Sequence, residues 1–300
     1  MTRIDLSRRL KSGVFFFIDG AMGTQLMAEG VPPGSCYDAV NLKSPEIVER
    51  IHRRYFDAGC DAVLTNSFGA NAVTLARHGL SANAAEINRA AGEIARRAAG
   101  PDRYVLGDIG PCGDFLEPVG SLKPDALRSA FAYQARGLVA GGVDGIIVET
   151  MTALDEMLLA VEAARSVCRL PILCSFAYDP APEGFRTMMG VTPEAIVQKV
   201  SGLNVAALGF NCGTLTMDGY VSLTQRLAGL LKGTGIALLA EPNAGRPELI
   251  DGRTVYSLSP DEYASAVIHI YKAGATILGG CCGTSPAHIA AMIDAIRTLR

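Results

Sequence analysis

The sequence lacks tryptophan, and aromatic residues make up only 6% of its 300 residues. It also lacks a run of 18 apolar residues, which a membrane-spanning helix requires. The short apolar segment 14–18 leads directly into Asp19-Gly20 and not into a small-residue cleavage site, so it does not resemble a secretory signal. From these absences we expect a cytoplasmic protein without a membrane partner.

An excess of positive charge is also missing. The chain has 27 basic and 30 acidic residues, which leaves a formal net charge of -3. Proteins that bind nucleic acids need cations to neutralise phosphates, so we expect no nucleic-acid partner. Only 19% of the residues are charged and 49% are hydrophobic, which excludes intrinsic disorder and indicates a large buried core.

No low-complexity tract, charge block or linker-like segment divides the chain, so we predict a single domain over residues 1–300. Short apolar runs alternate with longer helical patterns throughout, which is typical of βα units and a parallel sheet. Eight such repeats predict an α/β fold of the (β/α)8 TIM-barrel type. The eight predicted strands are 14–18, 62–65, 104–108, 145–148, 171–176, 206–210, 236–240 and 275–278.

Hydroxyl-proline pairs mark four helix starts, because Ser or Thr caps the helix and proline suits its first position. These pairs are Ser44-Pro45, Thr192-Pro193, Ser259-Pro260 and Ser285-Pro286, and Ser259 with Glu262 forms a capping box. Long connections follow four of the strands, at 30–43, 67–81, 178–190 and 243–258, and segment 178–190 is a candidate lid. Since loops after the strands form the active-site face of such barrels, we expect the site there.

The eight cysteines differ in their surroundings. Most are expected to be core or loop residues (Cys36, Cys60, Cys112, Cys168 and Cys174), whereas Cys212 and the pair Cys281-Cys282 are embedded in glycine after predicted strands six and eight. Three converging thiolates suit Zn²⁺ and leave a fourth position open, as in catalytic sites. Glycines around the pair permit the bend that both sulfurs need. Buried structural cysteines or a vicinal disulfide remain alternatives, and the four histidines are expected to serve packing or surface roles.

A zinc ion held by three thiolates favours binding and alkylation of a substrate thiol. Asp19 and Glu149 are candidate anchors for an ammonium group, and the backbone N–H groups of 20–23 with the Thr24 hydroxyl are candidates for a carboxylate. Together they suggest an amino acid that carries a thiol, with no catalytic residue beyond the metal site. Each carboxylate could instead make a hydrogen bond inside the barrel or cap a helix.

These motifs resemble the homocysteine S-methyltransferase family from Asp19 to about Ile293. The resemblance lies in Asn211-Cys212, in the Gly-Gly-Cys-Cys-Gly segment 279–283, and in the segments 19–24, 65–71 and 117–120, which are similar to the homocysteine-binding module of cobalamin-dependent methionine synthases. It implies zinc on Cys212, Cys281 and Cys282, and Asn243 as a displaceable fourth ligand. It also implies that the substrate contacts Asp19, Gly20, Ala21, Met22, Thr24, Asn66 and Glu149.

The resemblance implies that homocysteine accepts a methyl group from methylcobalamin on a separate corrinoid protein and becomes methionine. Segment 213–218 departs from the form expected of those synthases, and the chain ends where the first barrel ends. Direct donors such as betaine, S-methylmethionine or S-adenosylmethionine are an alternative, which the scarcity of aromatic residues disfavours. Another thiol acceptor, or a non-catalytic barrel that stores zinc or serves as a scaffold, are further alternatives.

Overall fold

A computed structural model describes residues 3–250 and 253–299. Its main sheet has eight parallel strands in the order β1-β8-β7-β6-β5-β4-β3-β2, so the predicted TIM-barrel architecture and all eight strands are confirmed. The strands are β1 Phe16–Phe17, β2 Ala62–Leu64, β3 Tyr104–Ile109, β4 Gly145–Met151, β5 Ile172–Phe176, β6 Ala207–Asn211, β7 Ala237–Glu241 and β8 Ile277–Leu278.

The barrel closes between β1 and β2 through a seam that depends on side chains. The Asp61 N–H donates to the Phe17 carbonyl at 2.7 Å, and the Asp61 carboxylate accepts from the Phe17 N–H at 2.8 Å. Further along, the Leu64 N–H donates to both carboxylate oxygens of Asp19, at 3.2 and 3.1 Å. Asp19 therefore supplies an acceptor that a neighbouring strand would otherwise provide.

Helices follow the barrel strands and cover the outside of the barrel. The α-helices are Leu6–Lys11, Met22–Ala28, Val40–Lys43, Pro45–Asp57, Ala72–Ala76, Ala84–Ala99, Pro124–Ala140, Leu154–Val167, Pro193–Val200, Met217–Leu231, Pro260–Lys272 and Pro286–Arg297, and the short 3₁₀ turns are Tyr37–Ala39, Ser81–Asn83 and Ser201–Leu203. All four predicted proline-led helices begin as expected. Ser259 and Glu262 form the predicted capping box, but Ser44 makes no side-chain cap.

Two hydrophobic layers hold the fold together. The larger one lies between the strands and the outer helices, and the smaller one fills the barrel interior. Leu6 and Leu10 of the first helix belong to the interior layer and cover the end of the barrel at which the strands begin. At the other end the inward-facing positions become polar, because Asp108 and Glu241 stand two residues after the interior leucines Leu106 and Leu239.

The four long connections are structured. Two of them contain antiparallel hairpins, Asp179–Ala181 with Gly184–Arg186 and Glu248–Ile250 with Arg253–Val255, and the other two contain short helices. The candidate lid 178–190 is anchored at both ends, since Tyr178 is buried and the Thr187 hydroxyl donates to the Thr152 carbonyl at 2.6 Å. Within the described residues, the helices are all too short or too polar to cross a membrane.

Candidate metal and substrate site

A cavity of about 350 Å³ opens at the end of the barrel where the strands finish. Its walls come from the strand ends and from the connections after β1 and β2. They include every substrate-contacting residue that the sequence predicted and all three predicted zinc cysteines: Asp19, Gly20, Ala21, Met22, Thr24, Asn66, Glu149, Cys212, Cys281 and Cys282. The structure thus brings these predicted residues together at the end of the barrel where the sequence places the site.

The three cysteine sulfurs form a compact triangle. The Sγ of Cys282 lies 3.9 Å from that of Cys212 and 4.0 Å from that of Cys281, and all three lie within 4.8 Å of one another. Zn–S bonds of about 2.3 Å in tetrahedral geometry separate two sulfurs by about 3.8 Å. The cluster thus fits a zinc ion. The sulfurs of Cys281 and Cys282 are too far apart for the vicinal disulfide, whose S–S bond is about 2.05 Å.

Backbone geometry explains how the sulfurs converge. Cys212 has a φ of 54° and Gly213 has a φ of 80°. Residues with a side chain rarely adopt such positive φ angles, and this conformation turns the chain at the end of β6. On the other segment only Gly283, with a φ of 80°, lies in this left-handed region. The bend expected around the adjacent cysteines thus comes from Gly283, whereas Gly279 and Gly280 are needed because a Cβ there would collide with Ile18 and Thr284.

The three thiol groups of the cluster shift one another's pKa values. Hydrogen bonds from Cys212 and Cys281 lower the pKa of Cys282 to about 3, and the Tyr256 hydroxyl also donates to it. A thiolate is the form of cysteine that ligates metal. The lowered pKa of Cys282 therefore favours the form that a metal ion would bind.

Asn243 lies beside this cluster, on the connection after β7. Its Nδ2 donates to the Gly213 carbonyl at 2.9 Å, next to Cys212. Its Oδ1 is buried and has no hydrogen-bond partner among the described residues. An unpaired buried oxygen is costly, so this atom is available as a metal ligand. The three cysteines can supply three sulfur ligands to a metal ion, and Asn243 Oδ1 can supply one oxygen ligand.

The two predicted ammonium anchors lie in the cavity with different partners. Burial raises the pKa of Asp19, and the Leu64 N–H that it accepts opposes the shift. Burial and then the charge of Cys282 raise the pKa of Glu149 to about 8. Asp19 therefore also makes a hydrogen bond inside the barrel, which was the alternative role expected for it. Glu149 accepts a hydrogen bond from the Asn211 amide, but this bond is long, at 3.4 Å.

The segment after β1 is tied to the segment that carries Cys282. The Ala21 N–H donates to the Thr284 hydroxyl at 3.1 Å, and the Thr24 hydroxyl accepts from the Gly283 N–H at 3.4 Å. Asn66 lies in the cavity wall, but its amide group donates to the Tyr37 carbonyl and to Asn41. Asn66 thus shapes the wall, and its amide hydrogens are already used.

The cavity also contains polar residues that the sequence did not predict as part of the site. The carboxyl groups of Asp108 and Glu241 are 5% and 2% exposed, and each has one oxygen without a partner among the described residues. Burial raises the pKa of both. Their signal in the sequence was the strand period, because both stand at inward positions two residues beyond a buried leucine. Asp38, whose pKa burial raises to about 6, also lines the cavity.

Together these features define a (β/α)8 barrel with a trio of thiols close enough to hold a metal ion and an acidic cavity at its mouth. A family model described as homocysteine S-methyltransferase matches residues 16–296. The chain belongs to this family.

Two relatives with related sequences are described as methionine synthases. The one from Mycobacterium tuberculosis is 34% identical over 313 aligned positions, which cover 98% of this chain and 25% of the relative. The one from Mycobacterium leprae is 34% identical over 296 positions, which cover 93% of this chain and 24% of the relative. The chain spans about a quarter of the length of these relatives.

A solved structure supports the same assignment. The homocysteine methyltransferase MmuM from Escherichia coli, in its metallated form, superposes with a TM-score of 0.78 at 25% identity. The match covers 95% of this chain and 97% of that one. Its oxidized form matches with a TM-score of 0.79 at the same identity.

Proposed function

We propose that this chain is a zinc-dependent homocysteine-binding barrel that transfers a methyl group from a methylcorrinoid to the sulfur of homocysteine and releases methionine. The observation that carries the proposal is the sulfur triangle of Cys212, Cys281 and Cys282, which opens into the same small cavity as the carboxyl group of Glu149. A thiol and an ammonium group on one small molecule match these two features.

The three cysteines would hold the zinc ion, and the Asn243 oxygen would be the fourth ligand that the substrate displaces. Zinc bound there lowers the pKa of a substrate thiol and so keeps the sulfur nucleophilic at neutral pH. Because such a site depends on reduced thiols, we place the protein in the cytoplasm.

The protein's own residues bind and orient the amino acid. Glu149 and Asp19 accept hydrogen bonds from the ammonium group, and the turn 20–24 faces the carboxylate. The narrow cavity fixes the sulfur toward the mouth, which converts the encounter with the donor into an oriented reaction. The sulfur forms the new bond to the methyl group, the donor keeps the electron pair of the bond that breaks, and no general acid is required.

The donor is inferred from the cavity and the relatives together. A volume of about 350 Å³ accommodates an amino acid, at the lower end of ligand pockets, so a corrinoid would present its methyl group from outside. The two methionine synthase relatives are also more similar in sequence than the E. coli enzyme is, at 34% against 25%. The corrinoid would be carried by another domain or by a separate protein.

A second candidate keeps the acceptor and replaces the corrinoid with a direct cationic donor, such as betaine, S-methylmethionine or S-adenosylmethionine. The observation in its favour is that Tyr37 and Phe68 both line the cavity, because aromatic faces attract cations. This candidate needs no corrinoid protein.

The test is anaerobic visible spectroscopy of methylcobalamin mixed with zinc-loaded protein, with and without L-homocysteine, and after removal of zinc by a chelator. Loss of the methylcobalamin band that requires both homocysteine and zinc is the expected result. Methionine formation from one of the three direct donors, with methylcobalamin left intact, would contradict the corrinoid assignment. Absence of methionine with every donor, from protein shown to contain zinc, would contradict the proposed acceptor.

A further inference from the structure

Asn211, the last residue of β6, is fully buried between the predicted ammonium anchor and the cysteine cluster. Its Nδ2 donates to the Thr150 hydroxyl at 2.6 Å and lies 3.4 Å from Glu149 Oε2 and 3.6 Å from Cys281 Sγ. The two amide hydrogens therefore serve three acceptors. The Thr150 hydroxyl takes one, and the Glu149 carboxyl group and the Cys281 sulfur share the other.

The carbonyl oxygen of the same side chain stabilises the backbone of β4 directly after Glu149, where the register with β5 shifts between Val148 and Met151. Oδ1 accepts from the Thr150 N–H at 2.8 Å and from the Ser175 hydroxyl at 2.6 Å. Thr150 has a φ of 58°, a conformation that β-branched residues avoid unless the surroundings impose it. Asn211 thus hydrogen-bonds to Thr150 through both its N–H and its hydroxyl, and so holds the residue that follows Glu149 in the strand.

Only an asparagine side chain makes all of these contacts at this distance from the backbone. Aspartate has the same shape but no amide hydrogens, and it would add a negative charge between Glu149 and Cys281. Serine is too short to reach both groups. The requirement for a donor and an acceptor on one short side chain indicates a specific role, because an apolar residue would fill a barrel interior equally well.

We infer that Asn211 is a positioning residue that couples Glu149 to Cys281 and so sets the spacing between the ammonium end and the sulfur end of the bound amino acid. This inference rests on the proposed function. It adds a physical link between the two halves of the site, which otherwise come from separate strands. Loss of the link should weaken recognition of the amino group more than binding of the thiol.

The test compares binding of L-homocysteine with binding of 4-mercaptobutyrate, which is homocysteine without its amino group. Calorimetric titration of zinc-loaded protein is done on the wild type, Asn211→Leu, Thr150→Ala and Ser175→Ala. Ser175→Ala is the matched control, because it removes a partner of the Asn211 oxygen and leaves the amide contacts in place. Zinc content and far-UV circular dichroism are measured for each.

In the wild type, homocysteine should bind at least tenfold more tightly than the analogue, and Ser175→Ala should keep that ratio. Asn211→Leu, which removes the amide group without adding a charge, should reduce the ratio to near one. If Asn211→Leu does not fold or does not retain zinc, Thr150→Ala decides, since it removes the anchor of the amide while Asn211 stays. An unchanged ratio in the folded Asn211 variant, or in Thr150→Ala where that variant decides, overturns the inference. Failure of the zinc-loaded wild type to bind homocysteine overturns the proposed function instead.

Discussion

His52 offers a prediction whose size follows from burial alone. The residue lies in the helix Pro45–Asp57 with no exposed surface, and neither ring nitrogen has a partner among the described residues. Burial lowers its pKa to about 3, whereas an unfolded chain holds histidine at about 6.5. Below pH 6.5 His52 therefore binds a proton in the unfolded state but stays neutral in the folded state. Stability is lost as the pH falls, by about 2 kcal/mol between pH 7 and pH 5.

The measurement is urea unfolding of the wild type and of His52→Leu at pH 7 and pH 5. The buried carboxyl groups shift stability in the opposite direction, but they are common to both proteins and cancel in the difference. We expect the variant to gain about 2 kcal/mol relative to the wild type on going to pH 5. His269→Leu, at an exposed helix position, is the matched control and should gain nothing. The same pH dependence in the wild type and His52→Leu would refute the reasoning.

Three further predictions concern the site. Cys282→Ala should lose stoichiometric zinc in metal analysis, while circular dichroism shows an intact barrel. The control Cys36→Ala removes a cavity thiol outside the cluster and should keep its zinc. Retained zinc in Cys282→Ala would contradict the site. Glu149→Leu should raise the homocysteine KM about 10- to 150-fold in steady-state assays, because it removes the acceptor of a hydrogen bond from a charged group, which contributes about 1.5–3 kcal/mol. An unchanged KM counts against the anchor. Asp19→Ala should cost about 1–3 kcal/mol in urea unfolding, since it leaves the Leu64 N–H unpaired, and wild-type stability would argue against the seam.

The strands and the position of the site followed from local features of the sequence. Strands buried on both faces are short and continuously apolar, and the polar or sulfur residues that end them mark one face of the barrel. Cys212 and Cys281-Cys282 could be found in this way because glycine surrounds them. The capping box of Ser259 was equally local, since both partners lie within one helical turn.

What the sequence could not supply were contacts between distant segments. The role of Asp19 in closing the barrel depends on Leu64, which lies 45 residues away. The left-handed turn at Cys212 and the contacts of Asn211 with Thr150 depend on tertiary packing, which no local propensity encodes. His52 was expected to have either a packing or a surface role, and its complete burial depends on the helices around it.

The seam between β1 and β2 also provides the cavity with a spectroscopic reporter. The Leu64 N–H has its acceptor on Asp19, a side chain that is also a proposed ligand of the substrate ammonium group. Any ligand that turns this carboxylate into the cavity withdraws the acceptor from the strand, and the backbone amide registers the change in its chemical shift and its rate of exchange with deuterium. The exchange rate of the Leu64 amide hydrogen therefore reports whether a ligand occupies the cavity, and it can be measured without turnover.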